Sequence, residues 1–315
     1  MTYYVGQHAI NIEVKCQITE TEIKALSELL GSCYTRVFPT GTNLLSKVII
    51  VENDMIEVEV NRILTDTGID GFYKRASANA VAVPLLHNGE FYSVIVFGRS
   101  EIPNNPDEYT FSNISSFLEE LLHVKLYEET FGDIEFKPKD SVQIIARMTI
   151  DEYVVNRWKY SIITELFGPL GYNEELIPQF TELDDKFLRL VLDAAHGITT
   201  IDEACNELLR ITYRDFLEPL TRYFSGYDCI EGIPEIPLGK YPFFYDVAYR
   251  YWKQINKELK ACFDNIENFD KHVNAITAII ADFFRAIGVT YKETPEGFYY
   301  NFDSSILMRY KMLRS

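Results

Sequence analysis

Cysteine is scarce and unpaired in this sequence. The five cysteines (Cys16, Cys33, Cys205, Cys229 and Cys262) are odd in number, widely scattered and never spaced as Cys-x-x-Cys. That excludes a disulfide framework or a thiolate zinc knuckle and fits reduced thiols in a cytoplasmic protein. Positive charge is also in short supply: 30 lysines and arginines face 47 acids, for a formal charge of −17. Such a surface repels phosphate backbones, and no Lys/Arg cluster is dense enough to offset it, so no nucleic-acid partner is expected. Long apolar runs are missing, and no stretch is uninterrupted enough to cross a bilayer. The opening residues have no base before Lys15 and no continuous apolar segment of the kind a secretory signal carries. The expectation is a cytoplasmic protein with no membrane partner. A glycine-rich phosphate loop, a Gly-x-Ser-x-Gly elbow, internal repeats and low-complexity tracts are not seen either.

What is present is an ordinary globular composition, 47% hydrophobic and 24% charged. A chain of 315 residues exceeds the usual single core, so two domains are expected. The first hundred residues read as mixed α and β. Tyr3 to Cys16 suits one or two strands, and Lys47 to Val51 a short buried strand. Thr19 to Leu30 suits a helix with Ile23, Leu26, Leu29 and Leu30 at helical spacing. The runs 79–86 and 91–97 flank His87-Asn88-Gly89-Glu90, and Asn-Gly between two apolar runs signals a hairpin. After the break at Asn104-Asn105-Pro106, a long helix runs from Phe111 to about Thr130. From Ser141 onward the periodicity predicts helices over 141–168, 173–196, 200–225, 243–266 and 268–287. A short hairpin around Pro295-Glu296-Gly297 closes the chain. The fold class expected is α+β: a domain with a small mixed sheet over 1–168, then an all-helical domain over 169–315. Gly168-Pro169-Leu170-Gly171-Tyr172 marks the boundary.

One segment carries candidate chemistry, the run Phe117-Leu118-Glu119-Glu120-Leu121-Leu122-His123. On a helix, Glu119 and His123 are four apart and share a face, with Glu120 beside them. This is the geometry of His-Glu-x-x-His, in which the outer positions bind zinc and the Glu activates the metal-bound water. Here Glu119 stands in the first place, and a carboxylate oxygen is a competent zinc ligand. Glu152 follows 29 residues after His123, on the next strongly helical segment, with Asn156 one turn further along. The arrangement over about residues 47–165 resembles the zincins, and the ImmA/IrrE-type peptidases in particular, where a Glu-x-x-Ala-Asn-Arg-like helix supplies the third ligand. Val155 replaces the small alanine of that pattern.

The resemblance implies a zincin-like metallopeptidase domain hydrolysing a peptide bond in a protein substrate. Glu119, His123 and Glu152 would bind zinc, and Glu120 would be the general base. Tyr153, Asn156 or Tyr160 would orient the site or steady the oxyanion, and residues 79–98 would supply the edge strand that holds substrate. Two carboxylates on the metal lower the acidity of its water, so a harder metal such as manganese is a further candidate. The alternative is a catalytically inactive zincin-fold protein acting as a protein-binding or regulatory module. A di-iron reading pairs Glu120-x-x-His123 with Asp193-x-x-His196, but further glutamates are missing. His8, His87 and His272 read as structural or solvated, and the aromatic run from Tyr241 to Trp252 reads as helix packing.

Overall fold

The computed structural model describes residues 2–5, 8–42, 44–68, 79–87, 90–106, 109–130, 141–171, 178, 180, 182–227, 230–231, 235–237, 240–241, 243–294 and 297–307. The chain divides into two compact units, Met1–Phe136 and Lys137–Ser315.

The first unit runs β1 (Thr2–Val5), β2 (His8–Val14), α1 (Glu20–Val37), β3 (Leu45–Val51), α2 (Ile56–Asp66), β4 (Ala80–His87), β5 (Glu90–Gly98) and α3 (Phe111–Thr130). Its sheet has the order β1-β2-β3-β5-β4, with β2, β3 and β5 parallel and antiparallel strands at both edges. Val48, Ile49, Ile50 and Val51 are all buried, because both faces of the sheet are covered. On one face Ile49, Val51, Val83, Leu85, Val94 and Val96 meet Ile56, Val60 and Ile63 of α2. Each such side chain removed from water stabilises the fold by roughly 1.5 to 3 kcal/mol. On the other face Phe97 stacks on Phe117 of α3 with ring centroids 4.1 Å apart, and α3 packs alongside α1. The result is three layers. Helix α1 starts where it does because Thr19 and Glu22 form a reciprocal capping box. Tyr34 then ties down the chain beyond α1 by accepting from Thr42 N and donating to Thr42 O.

The second unit runs α4 (Ser141–Phe167), β6 (Leu170–Gly171), α5 (Leu183–Ala195), α6 (Ile201–Arg210), α7 (Glu218–Gly226), β7 (Ile230–Glu231), α8 (Tyr249–Asp264), α9 (Phe269–Ala286), β8 (Val289–Thr294) and β9 (Gly297–Phe302). The long helix α4 packs most heavily on α7 and α9. An aromatic core surrounds Phe283, whose ring lies 5.5 Å from Phe187 and 5.2 Å from Phe216. Two stretches are π-helical: Ile211–Leu217, which joins α6 to α7, and Phe244–Ala248, which leads into α8.

A mixed α/β region followed by a mostly helical one is therefore present. Both expected hairpins pair, β4 with β5 and β8 with β9, although Asn88, Gly89, Pro295 and Glu296 of their turns lie outside the described residues. Tyr172 of the Gly/Pro-rich break lies outside them too, as do seven of the fourteen residues of the Gly/Pro-rich loop 229–242. The sequence reading assigns no element to 56–66, where the structure has α2. The zincin-specific part of the expectation finds no signature in this fold.

Candidate functional site

Glu119, Glu120 and His123 sit on α3, in the first unit. Glu120 is buried because it shares a helix face with Phe117 and Val124, three residues before it and four after, and both of these are fully enclosed. Glu119 and His123 are half-buried, and the His123 ring lies beside Tyr127 at 6.2 Å. Glu152 sits on α4, in the second unit. It is buried and bound within its own helix: Asn156 Nδ2 donates to the Glu152 carbonyl at 2.7 Å and to its carboxylate at 3.3 Å.

Among the described residues no group of three or more His, Cys, Asp or Glu side chains could hold a metal ion. A zinc centre needs at least three protein ligands converging on one point. This overturns the zinc and manganese readings. The metallopeptidase function and the zincin resemblance fall with them, as does the di-iron pairing with Asp193 and His196. The Glu-Glu-x-x-His run lies on α3, where Phe117, Glu120, Leu121 and Val124 are buried.

The ends of the parallel strands form a second candidate site. Strands β2 and β3 lead into α1 and α2, which cover opposite faces of the sheet, and ligands of open α/β sheets bind at such a switch point. Here the switch point is closed by its own side chains. The Arg99 guanidinium pairs with Glu22 and donates to the Gln17 carbonyl at 3.2 Å, while Asn53 and Ser100 bond to each other. The Glu22 carboxyl is held below the usual range by the Thr19 backbone N–H and hydroxyl and by Arg99. Cys16, at the same edge, has its thiol pushed up by burial and by the nearby Glu52 carboxylate. It is a protonated thiol rather than an activated nucleophile.

A half-buried acid with one enclosed oxygen lies in the second unit. Asp151 Oδ1 is sealed from water without a hydrogen-bond partner. Burial pushes its carboxyl up to about 7, with the Arg147 guanidinium pulling it down and Glu152 raising it. Cys262 is fully buried, and burial first, then the charges of Asp151 and Glu258, push its thiol up to about 12. Glu258 also holds His272 Nδ1 at 2.8 Å.

Among the recesses of the second unit, two are lined by described residues. The larger, about 730 Å3, lies between α5 and α6 and is bordered by five acids (Glu182, Asp185, Asp193, Glu203, Glu207) and three bases (Lys186, Arg189, Arg210). Lys186 Nζ holds Asp215 at 3.0 Å, and Arg210 holds Glu207 at 2.7 Å. The smaller, about 210 Å3, is bordered by Tyr223, Phe224, Tyr227, Glu235, Ile236 and Tyr249. The sequence pattern presents Tyr249 only as packing and singles out none of the others. Its walls come from α7, α8 and the segment between them, so no local spacing announces it.

No family model, curated protein or solved structure matches this chain.

Proposed function

We propose that the protein is a non-catalytic recognition module that takes a basic segment of a protein partner into the cleft between α5 and α6. The observation that carries this reading is that two of the cleft's three cations are used internally, while the opening carries five acids. Lys186 and Arg210 are bound to Asp215 and Glu207, whereas acids outnumber bases around the opening. An acidic ligand would have to break those pairs, and a basic one would not. The charge of −17 adds long-range attraction for a basic partner and speeds encounter.

The test is fluorescence anisotropy with a labelled lysine-rich peptide at low and near-physiological salt. Asp185→Lys combined with Asp193→Lys is expected to weaken binding by about tenfold or more, most strongly at low salt. A matched reversal of two exposed acids in the first unit, Glu20→Lys with Asp54→Lys, changes the net charge equally and is expected to leave most of the affinity. Equal losses in the two double variants would mean that net charge alone attracts the peptide, and the cleft reading would be lost.

A further inference from the structure

We infer that the smaller recess, beside the end of α7, is a binding site for an alkylated ammonium cation. This inference stands apart from the cleft between α5 and α6 and involves none of its residues. The walls are rings in several planes. Tyr223 and Phe224 meet at 80° with centroids 5.0 Å apart, Tyr223 and Tyr227 at 50° and 5.8 Å, and Phe224 and Tyr227 at 29° and 6.2 Å. A flat stack would present one face, but rings tilted this way enclose a volume. Tyr223 is buried, Phe224 and Tyr249 are half-buried, and Tyr227 and Glu235 are exposed, so the recess grades from a closed interior to an open mouth.

Its chemistry selects a cation. Aromatic faces carry negative electrostatic potential and attract ammonium groups within about 6 Å of the ring centroid. Glu235 adds a full negative charge to the same lining. The Lys253 ammonium lies 5.1 Å from the Tyr249 centroid, so that ring already has a cationic partner and the recess relies on its other rings and on Glu235. A bare ammonium has three N–H groups to satisfy, and one carboxylate among rings satisfies them poorly. Alkyl groups on the nitrogen remove those donors and present apolar surface to the rings. The volume of 210 Å3 would hold about seven waters at about 30 Å3 each, enough for a nitrogen bearing four small alkyl groups.

The backbone supplies an independent pointer. Both helices that provide rings follow a π-helical stretch, 211–217 before α7 and 244–248 directly before Tyr249. Such stretches are rare and concentrate at functional sites. An extra residue in a turn rotates everything beyond it by about 100° about the helix axis, which re-aims the side chains that follow.

The test is a ligand-observed NMR titration of the full chain with tetramethylammonium, choline and 3,3-dimethylbutan-1-ol, the uncharged isostere of choline. Tetramethylammonium and choline are expected to saturate with a Kd of about 10 mM or lower, and 3,3-dimethylbutan-1-ol to bind at least about tenfold more weakly than choline. Glu235→Gln and Tyr227→Leu change exposed side chains, so the thermal melt should be unaltered, while cation binding weakens by a factor of about 3 to 30 in each. A trimethyllysine peptide that competes and binds more tightly than choline would identify a chain-borne ammonium. Choline binding the more tightly would identify a free one, and either result supports the site. Equal binding of the neutral isostere, no saturation by about 100 mM cation, or binding indifferent to both substitutions would overturn it.

Discussion

At the scale of single residues, Asp151 is the group whose protonation the fold controls most directly. An unfolded aspartate titrates near 4, but in the folded chain burial pushes Asp151 up to about 7. Between those values the unfolded chain has released the proton and the folded chain still holds it, so folding becomes less favourable as pH rises. The stabilising contribution is whole below about pH 4 and is lost as pH climbs through about 7. The full difference corresponds to about 4 kcal/mol. Asp151→Asn keeps the shape of the protonated side chain and cannot ionise. Denaturant unfolding should give it nearly the stability of the parent near pH 4 and a gain of a few kcal/mol by about pH 8. A stability difference that stays flat with pH would show that Asp151 ionises freely in the folded chain. Nothing in the sequence marked Asp151 as special, because its surroundings come from α4 itself and from Cys262 on α8. Glu119 and His123 were conspicuous for the opposite reason. Spacing four residues apart on one helix is visible in any sequence, and whether a third ligand joins them is not.

At the scale of elements, most helices of the second unit were legible because they have one apolar face, whereas α4 is buried at every position from Glu152 to Asn156. In α9, for example, Phe269, Val273, Ile276 and Ile280 recur at helical spacing and are all buried. Helix α2 was not legible: Ile56, Val60 and Ile63 are β-branched and only three in number, which suits a strand as well as a short helix. The π-helical stretches left no trace either, since one extra residue in a turn barely disturbs an apolar pattern that the rest of the helix restores. Gly288 is the element-scale position with the sharpest consequence. It turns the chain from α9 into the closing hairpin at φ 87°, and its carbonyl accepts from Asp303 N at 2.7 Å. A Cβ there would lie 2.1 Å from the Asp303 carbonyl oxygen, a backbone atom with no freedom to swing aside. Gly197 also has positive φ, at 67°, but nothing lies within 4 Å of its would-be Cβ. Gly197→Ala should therefore cost only the backbone term, about 1 kcal/mol. Gly288→Ala should cost at least about 1 to 2 kcal/mol more and loosen the pairing of β8 with β9. Urea midpoints of the two variants compare them directly, and equal losses would remove the steric argument.

At the scale of the whole molecule, the chain solves its burial problem twice. The first unit closes a three-layer core around a five-stranded sheet, with Val48, Ile50, Ile95 and Phe97 almost fully enclosed. The second encloses Phe187, Phe216, Phe244, Phe283 and Trp252 among helices α4 to α9. Each unit is long enough for a domain of its own size to bury roughly two thirds of the surface its unfolded chain would expose. Each is therefore expected to fold as a separate polypeptide. Residues 1–136 and 137–315, expressed apart, should each show a cooperative thermal transition, and the second should retain the tetramethylammonium binding and the charged cleft. The division has a consequence for function as well. If recognition belongs to the helical unit, the isolated second unit should bind the lysine-rich peptide with an affinity within about threefold of the full chain, after allowance for the lost charge of the first unit. A second unit that melts without cooperativity would show that its core depends on residues 1–136. A second unit that folds but no longer binds would place recognition outside the cleft between α5 and α6.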